Sequence, residues 1–194
     1  MYLLISFFML LFTGGYVTSI FNRFARWRNK VKDAWSNIDV ALKRRHDLIP
    51  NLISTVKGYT LHEQETLNSV VEARAAAMKV PGSDLRGQMQ AENRLQQALG
   101  SLIAISESYP DLKASEPFTR LQQELSHLEE NLERSRRYYN SMVRENNSYG
   151  ETFPARLFAG PFLFKHFDYY QAPTEDRENV TVDFTTSATQ AKNG

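Results

Sequence analysis

The sequence predicts an all-α protein: an N-terminal transmembrane helix, then an up-and-down four-helix bundle, then a short C-terminal helix and a tail. Three observations carry this. Residues 1–22 hold no charged side chain. Beyond Trp27, apolar residues recur at intervals of three and four, the repeat of one helix face. VPGSD at residues 80–84 and Tyr109-Pro110-Asp111 then punctuate that repeat as loops do. The divisions that follow are an anchor over 1–22, a bundle over 23–148 with helices at 24–46, 48–79, 84–108 and 117–147, an aromatic-rich segment with a short helix over 149–172, and a flexible tail over 173–194.

The chain of 194 residues is long enough for one domain with a real core and further segments. Its formal net charge of +1 gives no excess that calls for nucleic acid or a polyanionic substrate. The absence of cysteine excludes disulfides, thiolate-bound metal, a thiol nucleophile and a lipid-modified cysteine.

The stretch Leu3–Phe21, LLISFFMLLFTGGYVTSIF, is about one bilayer crossing at 1.5 Å rise per residue. A cleaved signal peptide is the competing reading, but no basic residue precedes the apolar run and no small-x-small site follows it cleanly. Arg23, Arg26, Arg28, Lys30 and Lys32 come directly after it. Such a basic flank stays in the cytoplasm, which predicts a single pass through the cell (inner) membrane with the N-terminus outside and the body inside. The same cluster is able to touch anionic headgroups, although setting topology accounts for it fully.

The first bundle helix places Trp27, Val31, Ala34, Ile38, Ala41 and Arg45 on one stripe, broadened by Trp35 and Leu42. No Gly or Pro separates it from the membrane segment. Pro50 lacks an N–H and disfavours helix in the residue before it. A break near 45–48 is therefore expected, with Asp47 capping a second helix from Leu48; one long helix kinked at Pro50 is the alternative. Matched helix lengths favour the break. The second stripe is Leu52, Val56, Tyr59, Glu63, Leu67, Val70 and Arg74, with Gly58 inside it. Ser83 or Asp84 caps the third helix, whose stripe is Met89, Glu92, Leu95, Leu99 and Leu102. Leu112–Pro117 reads as a linker. Phe118, Leu121, Leu125, Leu128, Leu132, Ser135, Tyr139 and Met142 give the fourth helix a heptad suited to coiled-coil-like packing. Lys43 and Arg136 fall outward. Past Asn147, a short helix from Pro154 precedes Phe162, Phe164, Phe167, Tyr169 and Tyr170. These rings are expected to dock on the bundle; a membrane-surface or partner contact is the alternative.

Chemistry has few places to reside. His62-Glu63 opens HEQET, where Thr66 occupies the second ligand position of a zinc helix. Glu124 and His127 match the Glu-x-x-His spacing of di-iron bundles, yet no second copy exists and His127 falls beside the stripe rather than on it. No glycine-rich phosphate loop or nucleophile elbow occurs. Arg45, Glu63, Arg74 and Glu92 stand out because all four sit on apolar stripes. Buried charges must pair, so they either form interhelical ion pairs that fix register or lie at bundle edges and reach water. With Trp35, Asp47 and Pro50 they are the candidates for a structural or interaction role. No catalytic, cofactor or metal residues are assigned.

RNKVKDAWSNIDVALKRRHDLIPNLISTVKGYTLHE (28–63) resembles the LemA family of bacterial membrane proteins, and the likeness continues through LNSVVEARAAA (67–77), AENRLQQALGSL (91–102), LQQELSHLEENLERSRRYYN (121–140) and FPARLFAGPFLFKHFDYY (153–170). The resemblance implies an N-terminal anchor followed by a four-helix bundle, no established catalytic residues, and a scaffold or adaptor role in protein assembly or membrane organisation. The expectation is therefore a membrane-anchored scaffold without cofactor or catalysis. Its partners would be the lipid bilayer, other proteins and further copies of itself, with no nucleic acid. A carboxylate-based metal protein using Glu63 and Glu92, or a ligand-sensing bundle, is the alternative.

Overall fold

The computed structural model describes residues 1–60, 62–82, 84–160 and 164–170, which contain helices and no strand. In order they are α1 (Tyr2–Lys57), α2 (Gln64–Lys79), α3 (Leu85–Ser108), α4 (Pro110–Lys113), α5 (Glu116–Glu151) and α6 (Ala155–Phe158). The side-chain contacts fix their directions. Along α1, Phe24 meets Tyr149, Trp35 meets Tyr139, Arg45 meets Glu129 and Tyr59, just past its end, meets Ser115, so α5 runs antiparallel to α1. Arg74 of α2 returns to the level of His46. Glu92 of α3 stands beside Arg45, and Tyr109 at its far end reaches Glu63. The long helices thus alternate up and down.

The helix predicted over 48–79 does not form as one element. The expected break at 45–48 is absent: α1 runs on through Pro50 to Lys57, and the chain breaks at 58–63 instead. Asp47, expected to cap a helix, is an exposed mid-helix residue. Gly58, expected inside a helix, is the C-cap of α1: its N–H bonds to the Thr55 carbonyl at 3.2 Å, and the next N–H, of Tyr59, bonds to the Val56 carbonyl at 2.9 Å. The physical reason lies at Pro50. Its missing N–H strands the carbonyl of His46 four residues earlier, and Nε of Arg74 donates to that carbonyl at 2.7 Å. A donor from α2 replaces the lost helical bond, while the Pro50 side chain stays exposed.

The length argument for a break also fails for a visible reason. The surplus length of α1 projects from the bundle. Its 56 residues span about 84 Å, but burial begins only at Ile20 and ends at Val56. That buried stretch matches the 36-residue α5. The N-terminal part of α1 is exposed and is long and apolar enough to cross a membrane.

Since α2 and α3 are shorter than α5, the bundle has tiers. The tier far from the apolar segment is a four-helix core built on Leu52, Leu67, Leu95, Leu102, Phe118 and Leu125. In the middle tier Ile38, Ala41 and Leu42 of α1 pack with Leu132, Tyr139 and Val143 of α5, and Tyr170 joins them. At the near end Ile20 and Phe24 pack with Ala155, Tyr149 and Phe164. The C-terminal segment thus covers the part of the α1–α5 pair that the α2–α3 hairpin is too short to reach.

Smaller elements follow local rules. The Asp84 side chain accepts from the Gly87 N–H at 2.9 Å and caps α3. The expected linker at 112–117 contains a turn of helix, α4, which starts at Pro110 and buries Leu112. Residues 173–194, expected as a tail, lie outside the described residues.

Candidate functional site

Arg45 and Glu92 are drawn into the core because each occupies a stripe position between apolar neighbours. Arg45 lies among Leu42, Ile49 and Leu52 on α1, and Glu92 one turn from Leu95 on α3. Both are about 1% exposed. Facing one another, they form an ion pair between α1 and α3. Arg45 Nη1 also donates to Glu129 Oε1 of α5 at 2.6 Å, so the guanidinium forks across three helices. The second oxygen of Glu92 lies 2.9 Å from Nε2 of His46. A carboxylate only accepts, so Nε2 carries that proton.

Burial opposes the charge on Arg45, but Glu92 and Glu129 outweigh it and hold the guanidinium above its ordinary value. Burial likewise opposes the Glu92 carboxylate. The His46 hydrogen bond and the charge of Arg45 prevail and hold its pKa below the usual carboxylate value. Both oxygens of Glu92 are engaged, and both Nη groups of Arg45. The cluster therefore links α1, α3 and α5 through buried charge.

The other predicted positions lie apart from it. Glu63 precedes α2 and accepts from the Tyr109 hydroxyl at 3.2 Å. Arg74 serves the His46 carbonyl and adjoins the cluster only through that residue. Tyr59 bonds to Ser115, so Tyr59, Glu63 and Glu92 each have separate partners. Among the described residues no three His, Asp or Glu side chains converge as a metal site requires. Trp35 is half-buried, its ring 5.5 Å from Tyr139 and 6.5 Å from Tyr170. It walls a cleft of about 350 Å³ whose rim includes Lys165, His166 and Asp168.

The docking expected of the aromatic segment is seen for residues 164–170, and asparagines carry it. Asn140 Nδ2 donates to the Tyr170 carbonyl at 2.8 Å while its Oδ1 accepts from the Tyr170 N–H at 2.7 Å. Asn147, two helical turns on, repeats this two-point grip on Phe167. Asn146 donates to the Lys165 carbonyl. Buried Tyr139, its phenol pushed up to about 12 by burial and then by the charge of Asp168, stays an O–H and donates to the Asp168 carbonyl at 3.0 Å. Gly150 admits the Phe164 ring, which a Cβ there would overlap.

The sequence reading did not single out His46, Glu129 or the asparagines. His46 adjoins Arg45 and is one turn from Leu42, which was the available signal. Arg136, placed outward by periodicity, is half-buried beneath the Tyr170 ring, its guanidinium carbon 4.6 Å from the ring centre.

The open surface of the α1–α5 pair is a groove. Three adjoining depressions of about 820, 470 and 370 Å³ share Arg44 and are lined only by α1 and α5. Leu48, Leu121 and Leu128 floor the largest, and Arg44, Asp47, Arg120 and Glu124 wall it. Asp47 and Arg44 are thus surface groups of this groove, as are Glu124 and His127.

Comparison with known proteins gives a consistent outcome. The family described as LemA matches residues 34–184. A similar relative, Protein LemA of Metamycoplasma hominis, is 27% identical over 159 residues, covering 82% of this chain and 72% of its own length.

Proposed function

We propose, for a chain that belongs to the LemA family, a membrane-anchored helical scaffold that assembles proteins, or further copies of itself, at the membrane surface without catalysis of its own. The N-terminal part of α1 is the single-pass anchor in the cell (inner) membrane. The basic residues after it hold the bundle on the cytoplasmic side.

The groove along α1 and α5 is the observation that carries this reading. It is open, floored by leucines and walled by charges of both signs. Those features suit an amphipathic helix laid between two others, with apolar anchors below and ion pairs at the rim. The buried charges face inward and hold the bundle's register, so the groove is presented on a fixed framework. Purification from membranes in mild detergent tests this. Wild type should retain a stoichiometric partner or a homo-oligomer, and the paired change Arg44→Glu with Arg120→Glu should lose it while keeping helix content. Recovery of monomer alone from wild type in several detergents contradicts the reading.

A further inference from the structure

We infer that residues 152–160 form a second membrane contact, lying in the headgroup region of the bilayer that α1 crosses; this rests on the anchor reading above. The path of the chain places them there. Near the end of α5, Tyr149 meets Phe24, with ring centres 4.9 Å apart. α6 follows beside the end of the apolar run of α1. Ala155 is buried with Ile20 and Phe24, and the Phe158 ring lies 6.5 Å from that of Phe21. The chain then turns back: Phe164 returns to Phe24 at 5.9 Å and Tyr170 reaches Asn140. Residues 152–160 are therefore the apex of the C-terminal part, level with the last uncharged residues of α1.

The apex carries apolar groups that the bundle does not use. Phe153 is 82% exposed and Leu157 is 72% exposed, although Ala155 between them is packed. Arg156 is exposed within the apex and exposed Arg23 of α1 lies over the Tyr149 ring, its guanidinium carbon 5.6 Å from the ring centre, with Glu151 and Glu145 as the acidic neighbours in the chain. Aromatic and aliphatic side chains beside arginines, at the depth where a spanning helix leaves the hydrocarbon, are what an interfacial segment offers an anionic bilayer. A protein partner or a second copy would suit exposed Phe153 and Leu157 equally on chemistry alone. Continuity with the apolar part of α1 selects lipid, because the boundary of the bilayer falls at this level. The contact would hold α5 as well as α1 at the membrane and fix the tilt of the bundle.

The natural chain lacks cysteine, so single cysteines can be labelled with an environment-sensitive fluorophore in the full-length protein. Phe153→Cys, Leu157→Cys, Leu10→Cys and Met78→Cys are reconstituted in phosphatidylcholine–phosphatidylglycerol vesicles bearing doxyl quenchers at shallow or deep acyl positions. Labels at 153 and 157 should lose most of their emission to shallow quenchers, the Leu10 label to deep ones, and the exposed Met78 label to neither. A quenched Leu10 label with 153 and 157 behaving like Met78 overturns this inference alone. A Leu10 label in water overturns the anchor reading and this inference with it.

Discussion

Arg74 donates its Nε–H to the backbone carbonyl of His46 at 2.7 Å, and that carbonyl is the one Pro50 leaves without a helical partner. One side chain of α2 thereby repairs a proline in α1 and fixes the α2–α1 register. His46 joins this repair to the buried charges, since its ring bonds to Glu92 while its carbonyl receives Arg74.

Arg74→Ala should cost about 1–3 kcal/mol, the penalty for leaving a half-buried acceptor unpaired. In a Pro50→Ala background the new N–H restores the helical bond, so the same change should cost less than half as much. Thermal or denaturant unfolding of the four proteins of this double-mutant cycle gives the coupling. Additivity would contradict the repair.

Arg45→Met should destabilise by about 3–5 kcal/mol, because it leaves the Glu92 carboxylate buried without its cation. The double variant Arg45→Met, Glu92→Leu should recover most of that loss, as an apolar pair replaces a buried ionic one. Glu129 is 32% exposed and turns to water in either variant. Comparing unfolding midpoints checks both expectations.

Glu92 makes stability depend on pH. Its folded pKa lies below the ordinary 4.5. Its contribution is therefore fully present above that value and is lost as pH falls through the folded pKa. Wild type should exceed Glu92→Gln in melting temperature at neutral pH, and the two curves should converge in acid. Parallel curves from neutral to strongly acidic pH would contradict the assignment.

Asn140→Ala and Asn147→Ala should each weaken the grip on residues 164–170 by about 1–3 kcal/mol, since each asparagine makes two hydrogen bonds to backbone. The combined change should expose Lys165 to trypsin well before the bundle is cut. Gly150→Ala should act the same way by displacing Phe164. Limited proteolysis followed by mass spectrometry reads both.

The stripes, the ends of α2 and α3 near 80–84 and 109 and the unusual standing of Arg45 and Glu92 are legible in the sequence, because helix periodicity is a local property. The effect of Pro50 is not. The rule that proline breaks a helix concerns the backbone nearby, whereas the donor that overrules it lies 24 positions away in another helix. Glu129 follows Leu128 in a charged run and reads as solvated until Arg45 is placed against it. Asn140 and Asn147 look like ordinary polar helix residues; only the extended segment that returns along α5 gives them a role. Arg136 is covered by Tyr170 for the same reason.

Site-specific photocrosslinking in intact cells tests the scaffold reading most directly. A photoreactive amino acid at Arg120, in the groove, should yield a discrete membrane-associated adduct, either with one partner or as a defined multiple of this chain. The same group at exposed Met78 on α2 should yield none. Monomer alone from Arg120 and from the other groove positions, Arg44 and Arg134, or the same adducts from Met78, would contradict it.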